Sequence, residues 1–193
     1  MIISSCTQKI EYLASKNFLI YKIVEKYYKN MVKREVRLAE ISSKDRVLVI
    51  GGGPCPYTGI LIHQLTKANV TIIDNVENCV KYSTELINKM GLNKNVNIIL
   101  QDGLDIDTSK FNVLHIALQI TPKKRVIECL KKTAKKGTRI LVRIPKESLN
   151  RLYSPIEKDF STNSRNARHN LLSNVGKTAL HTVGGEIFEK QMA

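Results

Sequence analysis

Short continuous apolar runs alternate along the chain with segments whose apolar residues recur every three or four positions. The runs are of the kind that occupies the middle of a parallel sheet covered on both faces, and the segments between them predict amphipathic helices. The runs lie at residues 46–50, 70–73, 96–100, 113–118 and 138–144, and the helical segments at 57–66, 76–90 and 123–135. This alternation predicts an α/β fold with a mainly parallel sheet of six or seven strands and helices on both faces.

The two ends of the chain depart from this alternation. Residues 4–41 carry a helical pattern, which predicts one short and one long helix before the first strand. Residues 161–170 are polar and rich in turn formers, which predicts an exposed loop, and residues 177–190 can supply the last one or two strands. We therefore expect a helical N-terminal extension at residues 1–44 and a Rossmann-like domain at residues 45–193.

The composition is strongly basic. The 31 Lys and Arg residues outnumber the 17 Asp and Glu residues, which gives a formal net charge of +14 and a field that attracts nucleic acid, anionic lipid and carboxylate-rich metabolites alike. Basic residues are scattered through every segment and tryptophan is absent, so nucleic acid stays an open partner that the sequence does not favour. No segment is apolar enough to span a bilayer and the start does not resemble a signal peptide, so we expect a cytoplasmic protein without membrane association.

The cysteines and histidines carry no recognisable metal-binding or redox pattern. The four cysteines form no Cys-x-x-Cys pair and the four histidines no closely spaced pair, so we expect reduced thiols and no metal. His115 lies inside an apolar run, which predicts a core residue rather than a general base. The basic residues of the segment 123–136, beginning with Lys123, are expected on the outer face of a helix whose apolar face covers the sheet.

The sharpest local signal is the segment VLVIGGGPCPYTGI at residues 47–60, where a buried strand leads into a glycine turn and then a helix. Two glycines let the backbone bend and approach a ligand closely, and the helix N-terminus offers free N–H groups. The third glycine of a dinucleotide-binding loop is replaced by Pro56, which disfavours NAD and FAD. We expect this loop to bind a nucleotide cofactor through Ile50, Gly51, Gly52, Gly53 and Pro54.

Acidic residues follow the next two predicted strands. Asp74, followed by Asn75, ends the second strand, where a carboxylate can accept both hydroxyls of a ribose. Asp102 and Gly103 follow the third strand, where the carboxylate can accept from an adenine amino group and the glycine leaves room for the ring. Each feature alone is weak, because such aspartates also cap helices and Asp-Gly forms ordinary turns. In this order they predict an adenosyl site, with Ala117 beside it.

The order of strand, glycine turn, ribose aspartate and Asp-Gly resembles the class I S-adenosylmethionine-dependent methyltransferases. Within that superfamily, GGGPCPYTGI is most similar to the nicotianamine synthases, whose loop carries the G-x-G-P-x-P arrangement that is found here from Gly51 to Pro56. The similarity continues through HIALQITPKKRVIECL and RILVRIPKESLNRLYSPI and covers residues 27–160. The resemblance implies S-adenosylmethionine as the cofactor in both cases.

The resemblance leaves the transferred group open. Methyltransferases transfer the methyl group and leave S-adenosylhomocysteine, whereas nicotianamine synthases transfer the 3-amino-3-carboxypropyl arm to an amine and leave methylthioadenosine. We favour a methyltransferase that acts on a small molecule, because 45 residues precede the first strand and the synthases use a larger helical domain there. A synthase-like aminocarboxypropyl transferase and a cofactor-binding protein without catalysis are the alternatives.

Few residues suggest contact with the acceptor, and we take Tyr28 and Gln119 as the candidate catalytic residues. Tyr28 matches a tyrosine that the synthase family places at the site entrance, although packing on the sheet is the simpler explanation. Gln119 follows the fourth strand, beside the place where acceptors bind in open α/β sheets. Glu25 or Glu35 could replace the acidic residue of the synthases. We expect a small-molecule acceptor such as an amino acid or amine, and a homodimer whose second copy completes the site is open.

Overall fold

A computed structural model describes residues 12–13, 17–155, 164–170 and 173–184 of the chain. Seven strands and four α-helices form the described part, together with one 3₁₀ helix at Glu147–Leu152. The strands are β1 Arg46–Ile50, β2 Asn69–Asp74, β3 Val96–Leu100, β4 Val113–Ile116, β5 Arg139–Pro145, β6 Arg165–Arg168 and β7 Val175–Thr182. The helices are α1 Phe18–Leu38, α2 Tyr57–Thr66, α3 Glu77–Lys89 and α4 Lys123–Thr133.

The strands form one sheet in the order β3-β2-β1-β4-β5-β7-β6. β1 to β5 pair in parallel, whereas β7 lies antiparallel between β5 and β6. β1 and β4 lie side by side near the centre of the sheet. From β1 the chain continues outward to β2 and β3 on one side, and from β4 it continues to β5 on the other side. In open α/β sheets this switch point, at the carboxyl ends of the strands, is where ligands bind.

Helices cover both faces of the sheet. α1, α2 and α3 pack on one face over a core that includes Val49, Ile72 and Leu141. α4 packs on the other face through Val126, Ile127 and Leu130, over strand residues that alternate with those of the first core. The central strands β1, β4 and β5 are therefore buried on both sides, which explains their continuous apolar sequence, whereas β3 at the edge is only partly covered. None of the helices in the described ranges is long and apolar enough to cross a membrane.

Local sequence explains where several elements begin and end. The Asn17 side chain caps α1 by accepting hydrogen bonds from the N–H groups of Leu19 and Ile20, at 2.9 and 3.3 Å. After α3, Gly91 adopts a φ of 68°, the left-handed conformation that glycine tolerates best. α1 ends in the short connection that leads to β1, so the long helix of the predicted N-terminal extension is present and packs on the sheet.

The predicted Rossmann-like fold is confirmed, and its elements differ from the prediction in three places. β4 ends at Ile116 rather than at residue 118. The predicted loop at 161–170 contains the strand β6. Its polar sequence RNAR shows no strand pattern, because β6 lies at the edge of the described sheet and pairs there only with β7. Lys123 does not lie on the outer face of α4, since it is fully buried. The short helix predicted near the N-terminus lies largely outside the described residues, as do residues 185–190.

Candidate functional site

The glycine loop between β1 and α2 forms the floor of a cleft at the carboxyl edge of the sheet. Gly51 and Gly53 adopt φ angles of 86° and 64°, which side-chain-bearing residues rarely take. A Cβ atom at Gly51 would lie 2.6 Å from Cδ1 of Ile120, which lines the same cleft. The first N–H groups of α2, which have no partner within a helix, belong to Thr58 and Gly59 in the cleft wall. The loop thus presents bare backbone and a helix N-terminus to a ligand.

Asp74 connects this loop to the end of β2. Its Oδ2 accepts a hydrogen bond from the Gly53 N–H at 2.8 Å, and its Oδ1 accepts from the Val76 N–H at 3.0 Å. Each carboxylate oxygen accepts one such bond, and a carboxylate offers about four acceptor positions in total. Asp74 therefore both holds the loop and keeps capacity for hydroxyl donors in the cleft.

Two adjacent cavities make up the cleft. The larger cavity, about 250 Å³, lies between the glycine loop, Tyr28 of α1 and Arg143 of β5. The smaller cavity, about 170 Å³, lies between Ile50, Asp102 and Gly103. The residues that line both are Gly51, Asp74, Asn75, Gln119 and Ile120. The shared walls make the two cavities one continuous cleft along the edges of β1, β2 and β4.

The smaller cavity is closed by the loop after β3. Asp102 Oδ1 accepts from the Leu104 N–H at 2.9 Å, and Oδ2 accepts from the Asn75 side-chain amide at 3.3 Å. Gly103 is buried, and a Cβ atom there would lie 3.0 Å from Cγ2 of Ile50. The glycine therefore allows this loop to pack closely on the end of β1, while Asp102 stays at the cavity wall.

Tyr28 belongs both to the cavity wall and to an aromatic stack. Its ring stacks on that of Tyr57 with centroids 5.2 Å apart and an interplanar angle of 10°. On α2, Tyr57 also stacks on Tyr21 at 5.0 Å and 24°. Tyr28 thus packs against other aromatic rings, as its helical spacing predicts, and also lies at the entrance of the site.

Gln119 lies in the loop after β4, and Lys123 holds that loop. The buried ammonium of Lys123 donates to the carbonyl oxygens of Leu118 at 2.7 Å and Arg143 at 3.0 Å. The Lys123 N–H donates to Ser154 Oγ at 2.9 Å. Burial, with a smaller contribution from the nearby Arg143 charge, lowers the pKa of Lys123 to about 7. One lysine thus joins the Gln119 loop to the end of β5.

A buried charge cluster lies behind the larger cavity. Glu35 of α1 is fully buried and accepts two hydrogen bonds from Arg143, at Nε and Nη2, each 2.8 Å long. Burial alone would raise the pKa of Glu35, but the Arg143 guanidinium and His115 hold it well below its usual range. The pair is a fork-to-fork contact between α1 and the centre of the sheet.

Two histidines and a threonine surround Glu35. His115 Nε2 lies 3.2 Å from Glu35 Oε2, and burial lowers the pKa of His115. The Thr178 hydroxyl donates to Glu35 Oε1 at 2.7 Å, and His169 Nε2 lies 2.8 Å from that hydroxyl. Burial lowers the pKa of His169 to about 4, so His169 is neutral at pH 7 and donates to Thr178 through its Nε2–H. Glu35 of α1 thereby contacts side chains from three strands, β4, β5 and β7.

The structure brings together most of the residues that the sequence singled out. Eleven of them line one or both cavities: Tyr28, Ile50, Gly51, Gly52, Gly53, Asp74, Asn75, Asp102, Gly103, Ala117 and Gln119. Pro54 is buried in the loop and lies outside the lining of either cavity.

The two glutamates considered as acids lie elsewhere. Glu35 is locked in its ion pair, and Glu25 is paired with Lys22 at 2.8 Å. Arg143 and Lys123 were missed as parts of the site. A signal for Arg143 exists in its position inside the apolar run RILVRI, since a charge in a central strand requires a buried partner.

Two cysteines, Cys55 and Cys79, lie in the lining of the larger cavity. Cys55 is buried, and within the described ranges Cys55, Cys79 and Cys129 form no disulfide. Within the described ranges, no group of three His, Cys, Asp or Glu side chains is arranged to hold a metal ion.

Solved structures similar to this chain include those of MtNAS. A glutamate-to-glutamine mutant of MtNAS in complex with S-adenosylmethionine has a TM-score of 0.75 and 26% sequence identity, over 92% of this chain and 72% of that one. MtNAS in complex with MTA and tNA has a TM-score of 0.73 and 27% identity, over 90% and 69% of the two chains. No curated protein matches the chain.

A methyltransferase shares the fold at lower identity. The RNA methyltransferase from Salinibacter ruber in complex with S-adenosyl-L-homocysteine has a TM-score of 0.66 and 17% identity, over 83% of this chain and 94% of that one. This likeness concerns the fold alone. The family model described as nicotianamine synthase protein matches residues 13–168. The resemblance inferred from the glycine loop is therefore confirmed, and the chain belongs to the nicotianamine synthase protein family.

Proposed function

We propose that the protein is an S-adenosylmethionine-dependent transferase that moves the 3-amino-3-carboxypropyl group of this cofactor to an amino group of a small molecule. The observation that carries the proposal is the continuous cleft in which Gly51, Asp74 and Asp102, from three successive strand ends, share one lining. Family membership supports the transferred group, because MtNAS has been solved with S-adenosylmethionine and with MTA and tNA.

The residues of the cleft fit the parts of the cofactor. The smaller cavity suits the adenine, with Asp102 as acceptor for its amino group and Gly103 leaving room for the ring. Asp74, between the cavities, suits the ribose hydroxyls, since its two N–H contacts leave acceptor positions free. The larger cavity then takes the amino-acid arm, where the bare backbone of Gly51 allows close approach. A Cβ atom at Gly51 would push on Ile120, which lines both cavities.

The chain's own part in the reaction is alignment. When bound, the cofactor would supply a carbon made electrophilic by its sulfonium; an acceptor amine would form a C–N bond to that carbon as the C–S bond breaks, and its proton would pass to solvent. Gln119, which lines both cavities, is suited to accept a hydrogen bond from the acceptor amine and so direct its lone pair. The Tyr28 ring walls the same space and excludes water. Holding the reactants in line supplies most of what such a displacement needs.

Methyl transfer to a small molecule is the second candidate. It would use the same cofactor and the same cleft, and it differs only in which carbon beside the sulfonium faces the acceptor. The fold shared with the Salinibacter ruber enzyme is compatible with it. The methyltransferase function favoured from the sequence, the cytoplasmic location and the homodimer all stay predictions.

Mass spectrometry of the products separates the two reactions. The protein is incubated with S-adenosylmethionine and a low-molecular-weight cytosolic extract, and the matched control is the Asp74→Ala variant at equal concentration. We expect methylthioadenosine in the wild-type reaction and a strong decrease in the control. S-adenosylhomocysteine in place of methylthioadenosine would establish methyl transfer. If neither product forms with the extract, the proposed transferase activity is contradicted.

A further inference from the structure

Arg143 lies at the same level of the sheet as the glycine loop. In the parallel register Ile50 pairs with Ile116 and Ile116 with Val142. The next residues along these strands are Gly51, Ala117 and Arg143, and all three line the larger cavity. Arg143 therefore lies at the same edge of the sheet as the glycine loop, two strands away from it, in the part of the cleft that Tyr28 also lines.

The guanidinium of Arg143 is buried and held in one orientation. Its side chain is 5% exposed, and Glu35 takes its Nε and Nη2 donors. The guanidinium carbon lies 5.8 Å from the centre of the Tyr28 ring. The Arg143 side chain has little freedom to reorient, because two hydrogen bonds to Glu35 and the Tyr28 ring hold it, and the Lys123 ammonium is bonded to the Arg143 carbonyl oxygen.

One nitrogen of this group is left for a ligand. Across the described ranges, no hydrogen-bond acceptor pairs with Nη1 of Arg143, whereas Nε and Nη2 are each bonded to Glu35. Nη1 is not among the buried polar atoms that lack a partner in the described ranges, so it stays accessible from the cavity that Arg143 lines. An arginine that forms a cavity wall and keeps a free donor is suited to an anionic group inside that cavity.

Arg143 and the N-terminus of α2 are the positive groups that the described wall of the larger cavity offers to a carboxylate. Glu35 balances the charge of Arg143 on the side away from the cavity, so the remaining donor acts without a large uncompensated charge. Asp74 is the acidic residue in the described lining of this cavity, and it lies across the glycine loop from Arg143. The helix N-terminus of α2 adds a partial positive charge on the same wall.

We propose that Nη1 of Arg143 binds the carboxylate of an amino-acid group in the larger cavity, which makes Arg143 the residue that selects for amino-acid character at this site. The inference rests on the proposed function. Two sources share this chemistry: the α-carboxylate of the cofactor's own arm and the carboxylate of an amino-acid acceptor.

The first measurement compares ligands on the wild-type protein by isothermal titration calorimetry. The probes are S-adenosylmethionine, decarboxylated S-adenosylmethionine and methylthioadenosine, and the last two lack the carboxylate. If Arg143 binds the cofactor's carboxylate, the wild type should prefer S-adenosylmethionine over its decarboxylated form at least tenfold. Failure of all three to bind would contradict the proposed function, whereas binding of methylthioadenosine would uphold it independently of Arg143.

The second measurement repeats the comparison in Glu35→Gln/Arg143→Gln, which removes both buried charges together, with Glu35→Gln as the matched control that keeps Arg143. We expect the double variant to lose the preference to less than threefold while its affinity for methylthioadenosine changes less than twofold. A purely structural role would instead weaken all three ligands equally, and that outcome would overturn the inference.

The acceptor source is tested on protein saturated with S-adenosylhomocysteine, whose arm fills the cofactor's own place. Saturation-transfer NMR with a mixture of the twenty amino acids, and with the amines that lack their carboxylates, reports weak binding. Nη1 would be assigned to the acceptor if two results are found together. The double variant loses the amino-acid signals, and its preference for S-adenosylmethionine over the decarboxylated form equals that of the wild type. Equal binding of carboxylated and decarboxylated ligands of both kinds by the wild type would overturn the inference even if the variant failed to fold.

Discussion

At the proposed adenosine end of the cleft, which is the smaller cavity, most of the wall comes from the ends of β1 and β2 and from short segments after β3 and β4. At the proposed acceptor end, which is the larger cavity around Tyr28 and Arg143, residues of α1, α2 and β5 complete a wall that begins with the glycine loop and the end of β2. The Glu35–Arg143 contact there joins residues 108 positions apart in sequence. The same cleft is thus assembled locally at one end and by distant elements at the other.

This difference separates binding from stability. At the adenosine end, Asp74 and Gly51 are partly open to the cleft and hold small loops, so changes there should reduce affinity for the cofactor more than stability. At the acceptor end, Glu35 and Lys123 are fully buried and connect whole elements. Changes there should alter the free energy of unfolding as well, and each prediction below tests that separation.

The largest expected effect is on stability at the acceptor end. Glu35→Leu leaves the Arg143 guanidinium buried without its partner, and such changes cost about 3–5 kcal/mol. The double variant Glu35→Leu/Arg143→Met removes both charges and should recover more than half of that loss, because well-packed apolar replacements of buried pairs are often tolerated. Urea unfolding of the two variants and the wild type measures both values.

The pH dependence of the same pair has a defined sign. The pKa of Glu35 is held well below the ordinary value of 4.5, so the folded state binds fewer protons at that carboxylate than the unfolded state. The stabilisation is complete above pH 4.5 and is lost as the pH falls through the lower, folded-state pKa. Equal acid sensitivity of the wild type and the double variant would contradict this assignment.

The next largest effect is on cofactor affinity at the adenosine end. Asp74→Ala removes the acceptor of the proposed ribose contacts and the anchor of the Gly53 N–H, and we expect the Kd for S-adenosylmethionine to rise tenfold or more, which corresponds to about 1.4 kcal/mol. Calorimetric titration measures the change. An unchanged Kd would show that the ribose does not lie against Asp74.

A smaller effect is expected from the glycine loop, and the chain contains a matched control. Gly51 and Gly91 have φ angles of 86° and 68°, so an alanine at either costs roughly 1–2 kcal/mol of backbone strain. A Cβ atom at Gly51 would meet Ile120, whereas one at Gly91 would have nothing within 4 Å.

Both alanine variants should therefore unfold at similarly reduced urea concentrations. Only Gly51→Ala should also weaken S-adenosylmethionine binding several-fold, since Ile120 would be pushed into the cavity it lines. Equal cofactor affinity of the two variants would remove the glycine loop from the binding site.

The sequence predicts the adenosine end far better than the acceptor end, and the reason is distance along the chain. A glycine turn after a buried strand and an aspartate at the end of the next strand each have a local pattern, and parallel pairing brings them to one edge. The pairing of Glu35 with Arg143 has no local pattern: Arg143 stands out inside the apolar run RILVRI, but nothing near Glu35 in sequence marks it as the partner. Only the burial of its neighbours in α1 and β5 shows that both must be inside.

The errors in the fold have similar causes. β6 is formed by a polar segment whose pairing with β7 supplies what its own sequence lacks. Lys123 begins α4 in a run of basic residues, and helical periodicity places it outside. Its long side chain instead reaches two carbonyl oxygens beneath the helix. These hydrogen bonds offset the free-energy cost of burying the ammonium group.

The last expected effect is a change in how stability depends on pH. Because burial lowers the pKa of Lys123 to about 7, the folded state releases this proton near pH 7 while the unfolded state keeps it up to the ordinary value of 10.5. The unfolded state then binds more protons between these values, so Lys123 makes the free energy of unfolding rise with pH in that interval. The histidines with lowered pKa values, His115, His169 and His181, change stability below the ordinary value of 6.5 and leave the interval from pH 7 to 9 to the lysine.

Urea unfolding at pH 7, 8 and 9 should show a smaller rise for Lys123→Met than for the wild type. The neighbouring Lys124→Met, with a side chain 55% exposed, should keep the wild-type slope, and equal slopes for all three proteins would show that the buried ammonium does not titrate in this range.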